Sequence, residues 1–397
     1  MRWLREPADI VRVHQAATEV EALAMEQALR SAGVRAWLRS RQVPGYAEVI
    51  ARATGIWGDV MVVPEDEGQA RGIVEAYLAA VKEDGMKAVM RTGSSEQGVR
   101  RFAGILPPLV TLFRRDGAVD DAAMRRHTDR LLEAGVHGLF ALGTTGEVMH
   151  LSPQERRGVA ELVVQQAAGR VPVLIGCGST STDEVIAYAR HAKEIGASGV
   201  VVIVPYYWVP SDAAVEAHYD AIARAVDLPI VIYNFPAVSG RNVPPALIAR
   251  LAEAHPTIAG IKETIDSIGH IQQVVAAVRP ARPDFVVHCG FEYHLINTLL
   301  LGGDGAVPGM ANLAPAATVA VYEAVRRGDV EAAAELMRAR LEFPSLYEFG
   351  APLFVVIKEA MAMAGLIEVP TVRLPAQPLG EDGRARLRTL LARLGML

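Results

Sequence analysis

Short apolar runs alternate with amphipathic segments along most of the chain, from Gly104 onward. The runs have the length of strands, and the segments between them carry helix-starting signals, such as capping boxes at Ser152–Glu155 and Ser181–Glu184. The eight runs are GILPPLVTLF, GLFALG, VPVLIGCG, GVVVIVP, PIVIYNF, IAGIKET, FVVHCGF and GAVPGM. Eight strands that alternate with helices at spacings of roughly 20 to 35 residues are typical of a (β/α)8 TIM barrel, an α/β fold. A doubly wound open sheet shows the same alternation, but eight evenly sized units favour a closed barrel.

The chain outside the barrel pattern has a different organisation. Its front part follows the order strand, helix, strand, strand, helix, which predicts a small α+β domain, and Thr18 and Glu21 are spaced as the capping box of its first helix. A stretch rich in Gly, Ser and charge follows and is typical of a linker, in which Met86 could start a complete barrel protein. The predicted boundaries are 1–81 for the small domain, 82–101 for the linker, 102–328 for the catalytic barrel and 329–397 for a C-terminal helical extension, with helices around 330–345, 351–364 and 381–394.

The composition narrows the classes of function. With 397 residues, of which 51% are hydrophobic, the chain has room for two globular domains, and its net charge of -5 gives no sign of a nucleic-acid-binding surface. Cys177 and Cys289 lie far apart in apolar runs, which excludes a disulfide framework and a cysteine-based zinc site and fits a reducing compartment. No run is long enough to cross a membrane and no signal peptide is visible, so we expect a cytoplasmic protein.

The stretch IAGIKETIDS, residues 258–267, places a lysine inside an apolar strand. In a strand, Lys262 shares a face with Gly260, and burial would lower its pKa toward the neutral, nucleophilic form. Taken by itself, the stretch favours another interpretation, in which Lys262 reaches water at the strand end or pairs with a carboxylate elsewhere. The other strand ends decide between the two, because chemistry in such barrels lies at the carboxyl ends of the strands.

Two further strand ends carry polar groups that suit imine chemistry. The turn GTTGE, Gly143–Glu147, offers hydroxyls and backbone N–H groups that could cradle a small carboxylate, although an ordinary turn has the same composition. Tyr233 alternates with Val231 and Phe235 and so faces inward; a structural tyrosine is the commoner explanation for such a position. Together, a buried lysine, an inward tyrosine and an anion cradle are the parts of an enzyme that forms a Schiff base.

The parts of rival chemistries are missing from the sequence. It has no glycine-rich dinucleotide motif that opens a helix, no phosphate-binding loop and no set of residues with metal-ligand spacing. His150, His191 and His288 are isolated, which indicates structural or surface histidines. We therefore expect no metal and no cofactor.

Five ordered motifs, over almost 300 residues, resemble those of a known family: GTTGE, PYYWVPS, YNFPAVSG, GIKET and LLLGGDGAVPG. The chain is similar in them to the pyruvate-dependent class I lyases, of which dihydrodipicolinate synthase and N-acetylneuraminate lyase are typical. The resemblance implies that Lys262 is the Schiff-base lysine and Tyr233 the proton-relaying phenol. It implies that Thr144 and Thr145 bind the pyruvate carboxylate and that Thr144 links the two tyrosines of the relay. It also implies that Tyr207 enters a neighbouring subunit's site, in a homotetramer built as a dimer of dimers.

One departure from the family pattern bears on the aldehyde partner. The synthases of lysine biosynthesis carry an arginine after their YNxPS stretch that grips the aldehyde's carboxylate, and this chain has Val238 there. The loss argues against aspartate semialdehyde, and the region around Gly309 and Met310 differs from that of the sialic acid lyases. The remaining predicted substrate contacts are Gly143, Gly146, Val238, Glu292 and Val307.

The motifs YYW, YNFPA, IKxTIDS and NTLLLGGDGA resemble those of aldolases that cleave 2-keto-3-deoxy sugar acids, although those enzymes often lack the two adjacent threonines kept here. We therefore predict reversible cleavage of a 2-keto-3-deoxy sugar acid, of gluconate or pentonate type, into pyruvate and a hydroxyaldehyde. The alternatives are a 4-hydroxy-tetrahydrodipicolinate synthase, with another group in place of the missing arginine, and a non-catalytic pyruvate sensor. The front domain resembles a small bacterial domain described as signal-transducing, so it is either a regulatory module or an appended domain without a task in catalysis.

Overall fold

The computed structural model describes the chain in five stretches: residues 9–16, 19–40, 58–78, 102–340 and 342–397. The chain forms two compact units, Met1–Ser94 and Ser95–Leu397. The capping box predicted at Thr18, the linker predicted at 82–101 and the alternative start at Met86 lie outside the described residues.

The front unit contains a three-stranded antiparallel sheet and two helices. Its elements are β1 Val11–Ala16, α1 Glu19–Ser31, β2 Ala36–Ser40, β3 Gly58–Val62 and α2 67–78. Both β1 and β2 pair with β3, so the strand that comes last in sequence lies in the middle of the sheet. Apolar residues of the strands, such as Val13 and Val60, pack against Leu29 and Val74 of the helices to form the core of this unit.

The second unit is a barrel of eight parallel strands. In chain order the strands are β4 Gly104–Ile105, β5 Leu139–Ala141, β6 Val173–Gly176, β7 Gly199–Ile203, β8 Ile230–Asn234, β9 Ile258–Glu263, β10 Val286–Cys289 and β11 Gly305–Ala306. Each strand from β5 to β11 pairs with the next, and β11 pairs with β4. The ring closes between β4 and β5, where Pro108 bridges Phe140 and the N–H of Leu109 donates to Phe140 O at 2.8 Å. The predicted TIM barrel is therefore confirmed.

The first barrel strand is much shorter than its apolar run. Pro107 and Pro108 have no N–H to donate, so regular pairing stops after Ile105. The chain continues toward the neighbouring turn, because the hydroxyl of Thr111 donates to Gly146 O at 2.6 Å. A segment that is only briefly a strand thereby still supports the carboxyl end of the barrel.

Helices follow the strands, and further helices form the C-terminal extension. They are α3 Asp121–Glu133, α4 Pro153–Ala167, α5 Thr182–Glu194, α6 Asp212–Ala225, α7 Pro236–Ser239, α8 Pro245–Ala254, α9 Ile268–Val278, α10 Leu295–Leu300, α11 Pro315–Arg326, α12 Val330–Arg338, α13 Leu353–Met363 and α14 Glu381–Arg393. The capping box predicted at Ser152–Glu155 is confirmed, with both reciprocal bonds present. The one predicted at Ser181–Glu184 is half formed: Ser181 accepts from the Glu184 N–H, but the Glu184 carboxylate accepts from the hydroxyl of Ser179 instead.

Strand residues alternate between the barrel interior and the layer of helices around it. One set packs inside the barrel and includes Val231, Tyr233 and Val307, whereas the other joins the larger core between strands and helices. Val231 and Tyr233 therefore share the inward face, as the alternation predicts. The polar residues on this inward face, near the carboxyl ends of the strands, form the candidate site.

Candidate active site

Lys262 lies on β9, directly beside Tyr233 of β8 in the register of the sheet. Its Nζ lies 4.2 Å from the centre of the Tyr233 ring and 5.0 Å from that of the Phe140 ring. The residue is only 4% exposed. Two aromatic rings and the neighbouring strands thus enclose the amine inside the barrel.

Burial controls the protonation of Lys262. It lowers the pKa of the amine from 10.5 to about 7, and no carboxylate among the described residues pairs with the amine to oppose this shift. The interpretation in which Lys262 reaches water or pairs with a carboxylate is therefore wrong for the described part of the chain. A large share of the amine is neutral at neutral pH, which is the form that attacks a carbonyl carbon.

Tyr233 supplies a phenol at the same level of the barrel. Its hydroxyl lies 3.4 Å from Oγ1 of Thr144, and its ring stacks on Phe235 with 5.9 Å between the ring centres. Burial raises the pKa of Tyr233 to about 12, and the hydrogen bond with Thr144 acts in the opposite direction. The phenol is therefore protonated at neutral pH and can accept a proton only while it passes its own to a neighbour.

The GTTGE turn approaches other parts of the barrel so closely that two of its positions require glycine. The N–H of Gly146 donates to Gly143 O at 3.0 Å, which closes the turn. A Cβ on Gly143 would lie 2.7 Å from the Phe140 ring, and one on Gly146 would lie 2.9 Å from Leu109 O. The turn also carries Thr145, which is buried, beside the hydroxyl of Thr144.

Three other predicted residues have different surroundings. Val307 packs inside the barrel in the same cluster as Tyr233. Val238 lies in α7, immediately after the strand of Tyr233, and is 44% exposed. Tyr207 is 98% exposed and has a φ of 83°, a left-handed conformation that is strained for a residue with a side chain. In the single chain, Tyr207 thus faces solvent.

Glu292 is directed toward the helices. Its carboxylate accepts a hydrogen bond from the hydroxyl of Tyr347 at 2.9 Å, and it lines a cavity of about 60 Å³ together with Val321 and Phe343. Burial raises the pKa of Glu292 to about 7, against the effect of the Tyr347 hydrogen bond. No contact among the described residues joins Glu292 to Lys262, so the structure does not bring this predicted substrate contact to the amine.

The sequence reasoning missed two neighbours of Lys262, which are Phe140 and His288. His288 lies next to Lys262 in the register between β9 and β10, and burial lowers the pKa of its imidazole to about 4. The imidazole is therefore neutral and adds no charge beside the amine. The sequence could have predicted this position, because His288 follows Val286 by two residues in an apolar strand. Residues two apart in a strand lie on the same face.

The described residues do not meet the requirements of a metal site, a membrane-spanning helix or a reactive cysteine. In the stretches that the structure describes, no group of three or more His, Cys, Asp or Glu side chains could hold a metal ion. None of the described helices is long and apolar enough to cross a membrane. Cys177 and Cys289 are buried free thiols, and burial raises the pKa of each to about 12, so neither is a reactive thiolate.

Comparison with known proteins identifies the family. The model of the dihydrodipicolinate synthetase family matches residues 101–394. YjhH of Escherichia coli K12, named a probable 2-dehydro-3-deoxy-D-pentonate aldolase, is 42% identical over 299 residues, which are 75% of this chain and 99% of YjhH. The 4-hydroxy-tetrahydrodipicolinate synthase of Methanospirillum hungatei is 37% identical over 295 residues, which are 74% of this chain and 99% of that protein.

A solved structure agrees with these relatives. YagE, a prophage protein of the dihydrodipicolinic acid synthase family from Escherichia coli K12, was crystallised in complex with pyruvate. It is 43% identical, with a TM-score of 0.73 over 75% of this chain and 99% of YagE. The matched region is the barrel with its C-terminal extension, which also contains all the residues of the candidate site. The chain therefore belongs to the dihydrodipicolinate synthetase family.

Proposed function

We propose that the protein is a class I aldolase that reversibly cleaves a 2-keto-3-deoxy sugar acid, of gluconate or pentonate type, into pyruvate and a hydroxyaldehyde. The observation that carries the proposal is the amine of Lys262, which is enclosed in the barrel beside the phenol of Tyr233 and has a pKa of about 7. The name of YjhH and the pyruvate bound to YagE support the same class of reaction.

Lys262 acts as the nucleophile. Its lone pair forms a bond to C2 of the keto acid. The carbonyl oxygen takes up one proton from the amine and one from solvent and leaves as water, which gives a protonated imine. The imine accepts the electron pair of the C3–C4 bond as that bond breaks, so that the aldehyde departs and an enamine of pyruvate remains. Protonation of C3 and hydrolysis of the imine then release pyruvate and restore the free amine.

Tyr233 handles the proton that C–C cleavage releases. The C4 hydroxyl of the sugar acid must lose its proton as it becomes the carbonyl of the aldehyde. The phenol oxygen accepts this proton while it passes its own to Thr144, whose Oγ1 lies 3.4 Å away. Such an exchange suits a phenol with a pKa of about 12, which is not ionised by itself at neutral pH. Thr145 and the N–H group of Gly143 hold the carboxylate. The N–H of Gly146 is already donated to Gly143 O and instead keeps the turn closed.

Tyr207 acts in the site of a neighbouring subunit. Its exposed and strained conformation, next to the exposed Trp208 and Val209, supports a surface that another subunit covers. In a homotetramer built as a dimer of dimers, the Tyr207 hydroxyl would extend the proton relay beyond Thr144 of the other chain. Native mass spectrometry measures the assembly directly, and a monomer at the concentration used for activity assays would contradict this part of the proposal.

Reductive trapping tests the proposed chemistry. The chain contains five lysines, which are Lys82, Lys87, Lys193, Lys262 and Lys358. After incubation with pyruvate and cyanoborohydride, peptide mass spectrometry is expected to find one reduced pyruvate adduct, on Lys262. The trapping rate should increase as the pH rises through about 7 and level off above it, because only the neutral amine attacks.

Two outcomes would count against this assignment. An adduct on Lys358, which is also buried but pairs with Glu147, would show that burial alone does not select the reactive amine. Pyruvate binding without any adduct and without turnover would favour the non-catalytic sensor.

Val238 provides a test of substrate choice. The next arginine of its segment, Arg241, is already paired with Asp212, so no charged clamp faces an aldehyde carboxylate from α7. We expect Val238→Arg to raise kcat/KM for aspartate semialdehyde relative to glyceraldehyde by about tenfold, through one charge-assisted hydrogen bond. Val238→Leu is the matched control, because it adds volume without charge. Efficient use of aspartate semialdehyde by the parent enzyme, in preference to glyceraldehyde, would favour a 4-hydroxy-tetrahydrodipicolinate synthase instead.

A further inference from the structure

Glu147 ends the GTTGE turn and is fully buried. Its φ is 53°, a left-handed conformation that a residue other than glycine keeps only when its surroundings impose it. Its N–H also donates to Thr144 O at 3.1 Å, within the turn itself. The residues that hold Glu147 in place therefore also fix the position of the backbone that carries Thr144.

Lys358 holds Glu147 from the C-terminal extension. It lies on α13, is fully buried, and forms an ion pair with Oε1 of Glu147. Its Nζ also donates to Thr371 O at 3.0 Å and lies 4.2 Å from the centre of the Phe113 ring. The Glu147 carboxylate, the Thr371 carbonyl and the Phe113 ring together hold the ammonium in place.

The second carboxylate oxygen of Glu147 is held as well. Oε2 accepts from the N–H of Arg373 at 3.3 Å and lies 3.1 Å from Nδ1 of His150. The guanidinium of Arg373 in turn donates to Glu155 at 2.8 Å and to His150 O at 3.1 Å. Both oxygens of Glu147 are thus engaged, and the extension supplies a donor to each.

These contacts form a continuous path from the extension to the reacting groups. Lys358 fixes Glu147, Glu147 ends the turn, and the turn presents the Thr144 hydroxyl to Tyr233. A buried ion pair is often no more stable than apolar residues of the same volume, but each charge tolerates its partner in few positions only. The pair is therefore better suited to setting geometry than to strengthening the fold.

We propose that Lys358 and Glu147 are positioning residues, which hold the GTTGE turn where it can bind the carboxylate of pyruvate beside Lys262. This inference rests on the proposed function, because that function assigns the turn to the carboxylate. Pyruvate binding then depends on Lys358, a residue that does not touch the substrate.

Three variants separate positioning from stability. Lys358→Met leaves the Glu147 carboxylate buried without its cation, so the melting temperature and pyruvate binding are both expected to fall. The double variant Lys358→Met, Glu147→Gln leaves no lone buried charge, so its melting temperature should return toward that of the parent. The pyruvate concentration for half-maximal trapping should nevertheless stay raised by about tenfold, since the bond between α13 and the turn is absent.

Glu359→Gln is the matched control. Glu359 is a buried carboxylate on the same helix, but its partner is Arg384 of α14, at 3.4 Å, and not the turn. We expect this variant to change the melting temperature without changing the pyruvate concentration for half-maximal trapping.

In all three variants, the pyruvate concentration that gives half-maximal reductive trapping on Lys262 measures pyruvate binding. The assay needs no aldehyde. A value equal to that of the parent in the double variant would overturn the inference, because the pair would then act only through stability. An equal rise in Glu359→Gln would overturn it too. If Lys358→Met fails to fold, the double variant still decides. Absence of trapping in the parent would instead overturn the proposed function, so the two failures are distinguishable.

Discussion

Lys262→Met is expected to abolish reductive trapping of pyruvate and to lower the rate of sugar acid cleavage by a factor of about 10⁴ or more, because no other amine of the described residues lies at the site. Methionine keeps the volume of the lysine stem, so the packing against Tyr233 and Phe140 is preserved. Release of pyruvate from 2-keto-3-deoxygluconate measures the loss. A variant that retained more than about a hundredth of the parent's rate would contradict a covalent role for Lys262.

The same substitution is expected to stabilise the protein by about 1–3 kcal/mol near neutral pH. The pKa of Lys262 is about 7 in the folded chain, against 10.5 for an exposed lysine. Between these values the unfolded chain binds more protons, so the free energy of unfolding of the parent increases with pH. Below pH 7 the parent carries the full cost of burying the amine. The advantage of Lys262→Met should therefore be largest there and should vanish above pH 10.5.

Lys358→Met is the matched control for this effect on stability. Lys358 is a second buried lysine, and burial lowers its pKa to about 8, but the carboxylate of Glu147 opposes that shift. Loss of the Lys358 ammonium leaves the Glu147 carboxylate buried without its cation. Lys358→Met is therefore expected to destabilise the protein by about 3–5 kcal/mol. Urea unfolding of the parent and of the two variants, at a pH below 7 and again near pH 9, measures both effects on stability. Destabilisation by Lys262→Met at the lower pH would show that the buried amine has a partner after all.

Tyr233→Phe is expected to lower turnover by about 10²–10⁴ while trapping on Lys262 stays within a few-fold of the parent's rate. The ring still stacks on Phe235 and still covers the amine, so imine formation is preserved. Only the hydroxyl is lost, and with it the route by which the C4 hydroxyl proton reaches Thr144. Parallel assays of trapping and cleavage separate the two steps.

Tyr219→Phe is the control for the loss of a buried phenol. Tyr219 is fully buried, and its hydroxyl donates to Val202 O at 2.8 Å in the core between strands and helices. Its replacement should cost about 1 kcal/mol of stability and leave cleavage unchanged. If trapping in Tyr233→Phe fell as far as cleavage, the phenol would serve the formation of the imine and not only the proton relay.

Much of the barrel could be predicted because parallel strands are buried on both faces and appear as continuous apolar runs. The runs that contain Tyr233 and Lys262 show this, and the two-residue period also gives the inward face correctly. The predictions fail at element ends, where backbone chemistry overrides hydrophobicity. The helix predicted around 330–345 ends at Arg338, and a separate short 3-10 helix that contains Pro344 spans Phe343–Glu348.

Partners that lie far apart in sequence could not be predicted. Lys358 has the same local pattern as Lys262, a lysine in an apolar run, and the carboxylate that separates their roles lies 211 positions away, at Glu147. Glu292 follows a strand end and was expected to touch substrate. The turn after β10 instead directs its carboxylate to Tyr347, on a segment with no local signal of that contact.

The barrel cannot close until the ribosome has made its last strand. The N–H of Gly104 donates to Asp304 O at 2.8 Å, so the first strand has its hydrogen-bond partner about 200 residues later in the chain. Synthesis of those residues takes on the order of 10–40 s. Throughout that time, strands that are apolar on both faces have emerged without the neighbour that completes the ring. The described strands and helices of the front unit lie within the first 78 residues and have no such delay. Chaperones that shield nascent chains should therefore affect the yield of this protein more than the stability of the finished barrel.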